Sequence, residues 1–168
     1  MLLTRLEPLR ADCRVTRSDG IDLEALCAME MRRWYMNLLC HGPLKWVPVA
    51  DMADDCRLAV SDEGILTVRL PPEVIRPVSV ELYGWERPAP VTTPDSRQGR
   101  MQANPFSRAG VCVPAAVLRT DGYTLELYSA PAAVASARIK SCMCVPDPGE
   151  DTYIFHEDAL SSITPLQQ

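Results

Sequence analysis

The sequence predicts an α+β fold: a mainly antiparallel β sandwich or small barrel of six to seven strands, with one long N-terminal helix packed on it. Three observations carry this reading. Residues 21–41 repeat apolar side chains at helical spacing. From Pro43 onward the apolar residues alternate with a period of two. The alternating runs follow one another through turn signals, with no intervening helical pattern that would make βαβ units and a parallel sheet. The organisation expected is an N-terminal arm at 1–18 and a single globular domain at 19–165, with a long exposed loop at 86–110.

The arm carries Arg5, Arg10, Arg14 and Arg17 among scattered Leu, with room for one short helical turn. In the helix, Leu23, Leu26, Cys27, Met31, Trp34 and Leu38 form one apolar stripe. Asp19 or Asp22 caps its start, Glu24 suits its first turn, and Gly42-Pro43 ends it. A stripe holding Leu26, Trp34 and Leu38 needs a surface to cover it, from the sheet or from a neighbouring subunit.

Trp46, Val47 and Val49 suggest a short strand. Cys56, Leu58 and Val60 alternate with Arg57 and Ala59, and Ser61-Asp62-Glu63-Gly64 is a hairpin loop whose Gly supplies positive φ. Leu66, Val68 and Leu70 continue the alternation until Pro71-Pro72. Val78, Val80 and Leu82 form the next run, with Tyr83 and Trp85 sharing a face. Residues 86–110 then break the rhythm, with Pro88, Pro90, Pro94 and Pro105 among polar residues. A connection of this length without elements is functional or disordered. Removing residues 90–106 is therefore expected to leave the fold intact.

Residues 111–118 are almost wholly apolar, as in a strand buried on both faces. Asp121-Gly122 signals a two-residue hairpin, and Tyr123 to Tyr128 alternate as the following strand. Ser129–Ala137 reads as a connection with one helical turn. A last full strand runs from 138 to 145, with Ile139, Met143 and Val145 on one face. After the turn Asp147-Pro148-Gly149, Tyr153-Ile154-Phe155 begins a short element, and helix is expected from 157 to Pro165.

With 168 residues, 47% hydrophobic and 23% charged, the composition excludes a disordered chain, a coiled coil and a collagen. No apolar run approaches the roughly 20 residues of a membrane helix. The net charge is −5, against a general nucleic-acid binder. Among the basic residues 15 are Arg and 2 are Lys, Lys45 and Lys140. Arg has a planar, weakly hydrated fork that suits interfaces, and coding bias gives the same excess. Arg87, Arg97, Arg100 and Arg108 face Glu86 and Asp95 within 86–110. That segment is thus a basic patch of +2 on a body of −7.

The candidate chemistries each meet a blander reading. Cys142 and Cys144 are two apart and share a strand face, but one intervening residue and no second pair do not make a zinc site. The start of the sequence shows no signal peptide, so all seven Cys are expected as unbridged thiols in a reducing compartment, with no metal and no disulfide. A cysteine nucleophile needs a His base, and the candidates are His41, beside Cys40, and His156. A helix C-terminus works against a thiolate at Cys40. Asp54-Asp55 and Glu150-Asp151 are adjacent acids in turn-rich segments and do not face each other across a cleft. No phosphate loop or dinucleotide fingerprint is present, so no cofactor is expected. Tyr83, Trp85 and Arg87 on one strand are too few for a single-strand nucleic-acid platform.

Two stretches carry a family resemblance. The first is Leu70-Pro71-Pro72-Glu73-Val74-Ile75-Arg76-Pro77-Val78-Ser79-Val80, followed by Gly84-Trp85. The second is Asn104-Pro105-Phe106-Ser107-Arg108-Ala109-Gly110, then Pro114-Ala115-Ala116-Val117-Leu118 and Leu125-Glu126-Leu127-Tyr128-Ser129. Over about residues 20–147 the sequence resembles small virion proteins of tailed phages infecting Bacteroidetes, including the crAss-like phages. Proteins of that family form connector or neck rings between portal and tail. The family pattern continues into a further C-terminal helix, from which this sequence departs.

The resemblance implies a non-enzymatic structural subunit of a head-to-tail connector, a homo-oligomeric ring without cofactor, metal or membrane contact. It would meet portal or tail components in a virion assembled in the host cytoplasm. Arg87, Arg97, Arg100, Arg108, Phe106 and Trp85 are the expected interface residues, pairing with the acidic body of a neighbour or with DNA in the ring lumen. Two other classes are carried beside it: a small bacterial β-rich domain binding a peptide or polysaccharide, and a cysteine-dependent hydrolase using Cys40-His41 or His156.

Overall fold

The computed structural model describes residues 4–6, 23–104, 106–110, 112–129, 137–149, 152–156 and 158–159. The chain divides into two compact units, Met1–Pro48 with Pro146–Gln168, and Val49–Val145.

In the first unit, helix α1 spans Leu23–His41. The expected burial of Leu23, Leu26 and Cys27 lies outside the described side chains. Tyr35, Leu38 and Leu39 are buried, while Met31 and Trp34 are half-buried, so the covered stripe is centred on Tyr35 and not on Trp34. The reason is a polar one. Strand β10, Tyr153–Phe155, runs beside the helix, and the Tyr35 hydroxyl donates to Ile154 O at 3.1 Å and accepts from Ile154 N at 3.0 Å. Burying Tyr35 thus satisfies a strand edge that a Trp indole, which only donates, does not. Trp34 instead meets Phe155 edge-on at 5.3 Å, and Tyr35 meets Tyr153 at 5.1 Å. Arg32 donates to Asp147 Oδ2 at 2.6 Å and to Gly149 O at 3.0 Å, fastening the helix to the chain ahead of β10.

Part of the expected arm is a strand. Thr4–Leu6 forms β1, antiparallel to β10, and the other residues of 1–18 lie outside the described residues. The strand expected at 46–49 is absent: Leu44–Trp46 is a 3₁₀ turn. Pro43 and Pro48 flank it, fixing φ and removing the donors a strand would use. The helix expected between 157 and Pro165 lies largely outside the described residues.

The second unit is one mostly antiparallel, curled sheet of eight strands. In chain order these are β2 (Ala50–Asp51), β3 (Arg57–Val60), β4 (Leu66–Arg69), β5 (Val74–Leu82), β6 (Ala89–Thr92), β7 (Ala115–Leu118), β8 (Thr124–Tyr128) and β9 (Ile139–Pro146). Their order across the sheet is β2-β9-β5-β6-β7-β8-β4-β3. Six to seven strands were expected; this sheet alone has eight among the described residues. The additions are β2, two residues long, and β6, hidden in the proline-rich stretch.

Strand β6 turns the sheet. Ala89 and Pro90 pair antiparallel with Val80 and Ser79 of β5, whereas Val91 and Thr92 pair parallel with Ala116 and Val117 of β7. A strand that changes partner midway makes a corner between two sheet faces. One core then draws on both halves: Val80, Leu82, Cys142 and Cys144 from one side, Leu66, Val68, Leu125 and Leu127 from the other.

The hairpin between β3 and β4 is closed as expected, with Gly64 at φ +75°. The connection between β7 and β8 is longer than two residues. Arg119 N donates to Thr124 O at 2.8 Å, so residues 120–123 form the loop. Asp121 organises it, its carboxylate accepting from Thr124 Oγ1 at 2.7 Å and from the amides of Tyr123 and Thr124 at 2.9 Å. The Thr124 hydroxyl, then the Tyr123 amide, hold this carboxyl below the usual carboxylate range. An acid with a lowered folded pKa contributes stability above its unfolded pKa and loses it as pH falls through the folded value. Asp121→Asn is therefore expected to flatten the acid side of the stability profile, read by denaturant unfolding between about pH 3 and pH 7.

Candidate protein-interaction surface

The segment 86–110 is not an elementless loop. It contains β6 and a short helix α2, Arg97–Gln102. Pro88 precedes β6, and Pro90 stands opposite Ser79. Proline is tolerated there because Pro90, the second residue of β6, pairs with β5 alone, ahead of the residues that pair with β7. Deleting 90–106 would remove most of the strand that joins the two sheet faces, so the expectation that this deletion spares the fold is withdrawn.

Helix α2 begins at Ser96, whose hydroxyl accepts from Gly99 N at 2.9 Å and donates to Thr93 O at 2.7 Å. Gly99 is the point of close approach. A Cβ there would lie 2.3 Å from Thr93 O and 2.8 Å from Pro94 O. Gly99→Val is therefore expected to lift α2 off the preceding turn at a cost of about 1–3 kcal/mol, seen as a lower melting temperature with faster amide exchange across 97–102.

The turn after α2 is tied to it by Gln102, which is buried. Its side-chain Oε1 accepts from Ala109 N at 2.9 Å, and its main-chain oxygen accepts from Arg108 Nε at 3.0 Å. Ser107 Oγ donates to Met101 O at 2.7 Å, and Asn104 Oδ1 accepts from Phe106 N at 3.0 Å. Phe106 is thus displayed on a hydrogen-bonded turn, and it is 100% exposed. Met101 at 45% and Val113 at 52% add apolar surface.

Of the expected interface residues, Arg87, Arg97, Arg100 and Arg108 are all exposed. The first three form no ion pair among the described residues. The Arg108 guanidinium lies 5.6 Å from the Tyr128 ring centre, a cation–π contact. Burial, then the hydrogen bond that Tyr128 donates to Glu126, pushes the Tyr128 hydroxyl up to about 12, so it stays neutral beneath that guanidinium. Trp85 departs from the set: it is 6% exposed, belongs to the core, and donates from Nε1 to Ser129 O at 2.7 Å. The turn at Gly84 rotates it inward, while Tyr83 stays exposed.

Between α2 and residues 107–114 lies an open pocket of about 650 Å³, lined by Arg87, Pro88, Pro90, Met101, Arg108 and Val113 among others. Sequence reasoning missed Met101, Gln102 and Val113. Ser96, the N-cap, is the signal that could have marked α2, although Gly99, the third residue of the helix, works against a helical reading.

The thiols lie elsewhere. Cys142 and Cys144 point to one face as expected, both buried, with sulfurs 3.7 Å apart. The Cys144 thiol, with burial adding to it, pushes Cys142 up to about 12, and Cys56 is raised by its contact with Cys142 and by burial. Groups so raised are protonated and packed, which is the opposite of a poised nucleophile. Among the described residues no group of three or more His, Cys, Asp or Glu is placed to hold a metal ion. His41 is exposed at the end of α1. His156 donates its main-chain N–H to Trp46 O at 2.9 Å, and its Nδ1 accepts from Asp158 N at 3.2 Å. No helix of the described residues is long and apolar enough to cross a membrane. No family model, no curated protein and no solved structure matches this chain.

Proposed function

We propose that this chain is a non-enzymatic structural subunit of a phage head-to-tail connector or neck ring, and that copies of it assemble through the surface formed by residues 86–114. The observation that carries this reading is Phe106, fully exposed on the hydrogen-bonded turn that follows α2, a helix carrying the exposed Arg97 and Arg100. An aromatic ring in water, close in sequence to guanidinium groups that form no ion pair among the described residues, is the composition of an interface centre. The resemblance of Asn104-Pro105-Phe106-Ser107-Arg108 and its following block to phage ring proteins supplies the class of assembly. A sandwich-like body, supported by the corner at β6, gives such a ring subunit a stiff frame. Portal or tail components are the further partners, in a virion assembled in the host cytoplasm.

Phe106→Asp combined with Arg97→Glu and Arg100→Glu tests the reading. All three side chains are exposed, so folding stability should change by no more than about 0.5 kcal/mol per site. Light scattering on a sizing column should show the wild-type chain as an oligomer and the variant at the monomer mass of 18.6 kDa. A variant that assembles as the wild type does would remove this surface from the interface.

A further inference from the structure

The pocket beside α2 has a chemistry more specific than a basic patch. Its charged lining is Arg87 and Arg108. The Arg108 fork is held by its Nε bond to Gln102 O and by the Tyr128 ring, which leaves its terminal amino groups for an incoming acceptor. The walls between are apolar, from Pro88, Pro90, Met101 and Val113. Two guanidinium groups over apolar walls fit carboxylates carried next to an aliphatic side chain. A DNA phosphate brings charge without an apolar body to cover those walls, and the −7 charge outside 86–110 repels a polyanion.

The chain itself presents that combination at the β3–β4 hairpin. Asp62 and Glu63 are exposed at its tip and form no ion pair among the described residues, although Glu63 lies near enough to Tyr128 of its own chain to help raise that hydroxyl. Val60, immediately before the tip, is 53% exposed on an edge strand. The tip is already shaped: Ser61 N donates to Ile65 O at 2.8 Å, Gly64 N to Ser61 O at 2.8 Å, and Ile65 N to Ser61 Oγ at 3.1 Å. Docking it costs little ordering entropy. Among the described residues the other exposed acidic pair, Asp54-Asp55, sits between buried Met52 and half-buried Cys56 and offers no comparable apolar side chain. An isologous meeting of two Arg-rich surfaces is disfavoured by like charge, so the basic surface has to meet an acidic one.

We propose that the Arg87/Arg108 pocket receives the Asp62-Glu63 hairpin tip of a second copy of this chain, with Val60 covering the apolar wall. The inference rests on the assembly reading above and names its contact. The test is charge reversal on the full chain, followed by sedimentation and light scattering. Asp62→Arg with Glu63→Arg should weaken self-association at least about tenfold, as should Arg87→Glu with Arg108→Glu. Combining the two reversed pairs should restore most of the association, which a merely misfolded variant does not do. If the tip reversal leaves association unchanged while the Phe106, Arg97 and Arg100 variant dissociates, the tip is not the occupant although the surface still mediates assembly. If the wild-type chain is monomeric and a short DNA duplex binds it in an Arg87-dependent way, the occupant is phosphate and the proposal falls with the assembly reading.

Discussion

Trp85→Ala is expected to destabilise the sheet unit by about 3–5 kcal/mol, the largest effect of any substitution at a position first expected on the surface. The indole packs in the core with Leu82, Ala89 and their neighbours and anchors Ser129 through its 2.7 Å bond. Removing it leaves a cavity at the turn between β5 and β6 and an unpaired Ser129 carbonyl. Ser129 is held at φ +78°, an arrangement a non-glycine residue keeps only where its surroundings fix it. Trp85→Phe should lose about 1 kcal/mol or somewhat more, because the ring volume is largely kept while the hydrogen bond is lost. Denaturant midpoints of the two variants measure the difference. Equal midpoints for Trp85→Ala and the wild type would return Trp85 to the surface set.

Tyr35→Ala should be nearly as damaging to the first unit, on the order of 3–5 kcal/mol. The side chain is fully buried, and its hydroxyl both gives and takes a hydrogen bond with Ile154. Both main-chain groups of Ile154 therefore point away from β1, so its pairing with Arg5 is of the type without ladder hydrogen bonds. Tyr35→Phe keeps the packing against Tyr153 and leaves those two groups without the hydroxyl, a cost of about 1–3 kcal/mol. Amide exchange at Ile154 separates the two effects: it should quicken in Tyr35→Phe even where the melting temperature falls little. An unchanged Ile154 rate would show that the hydroxyl does not hold this strand.

The parts of the fold legible in the sequence are those set by local rules. Residues 21–41 announce a helix by spacing, and the helix spans Leu23–His41; Leu66, Val68, Leu125 and Leu127 announce a buried face by alternation, and all four are buried. Gly64 and Gly122 mark their turns because each needs positive φ. What stayed hidden depends on distant partners. Strand β6 is short, has Pro88 before it and Pro90 within it, and exists because β5 and β7 offer it two different edges, which no window of sequence contains. Trp85 alternates with Tyr83 as a surface residue would, until Gly84 at φ +93° breaks the period. The candidate surface divides the same way. Its arginines and Phe106 were visible as composition, whereas the Gln102 bonds that shape the pocket link residues six and seven apart, one through its main-chain oxygen and one through its amide side chain.

Self-assembly is tested most directly by the native mass of the unmodified chain across a wide range of concentrations. A discrete oligomer, a fixed multiple of 18.6 kDa that persists on dilution, is expected. A single species at 18.6 kDa at every concentration would contradict it and leave the exposed Phe106 surface without the partner assigned to it.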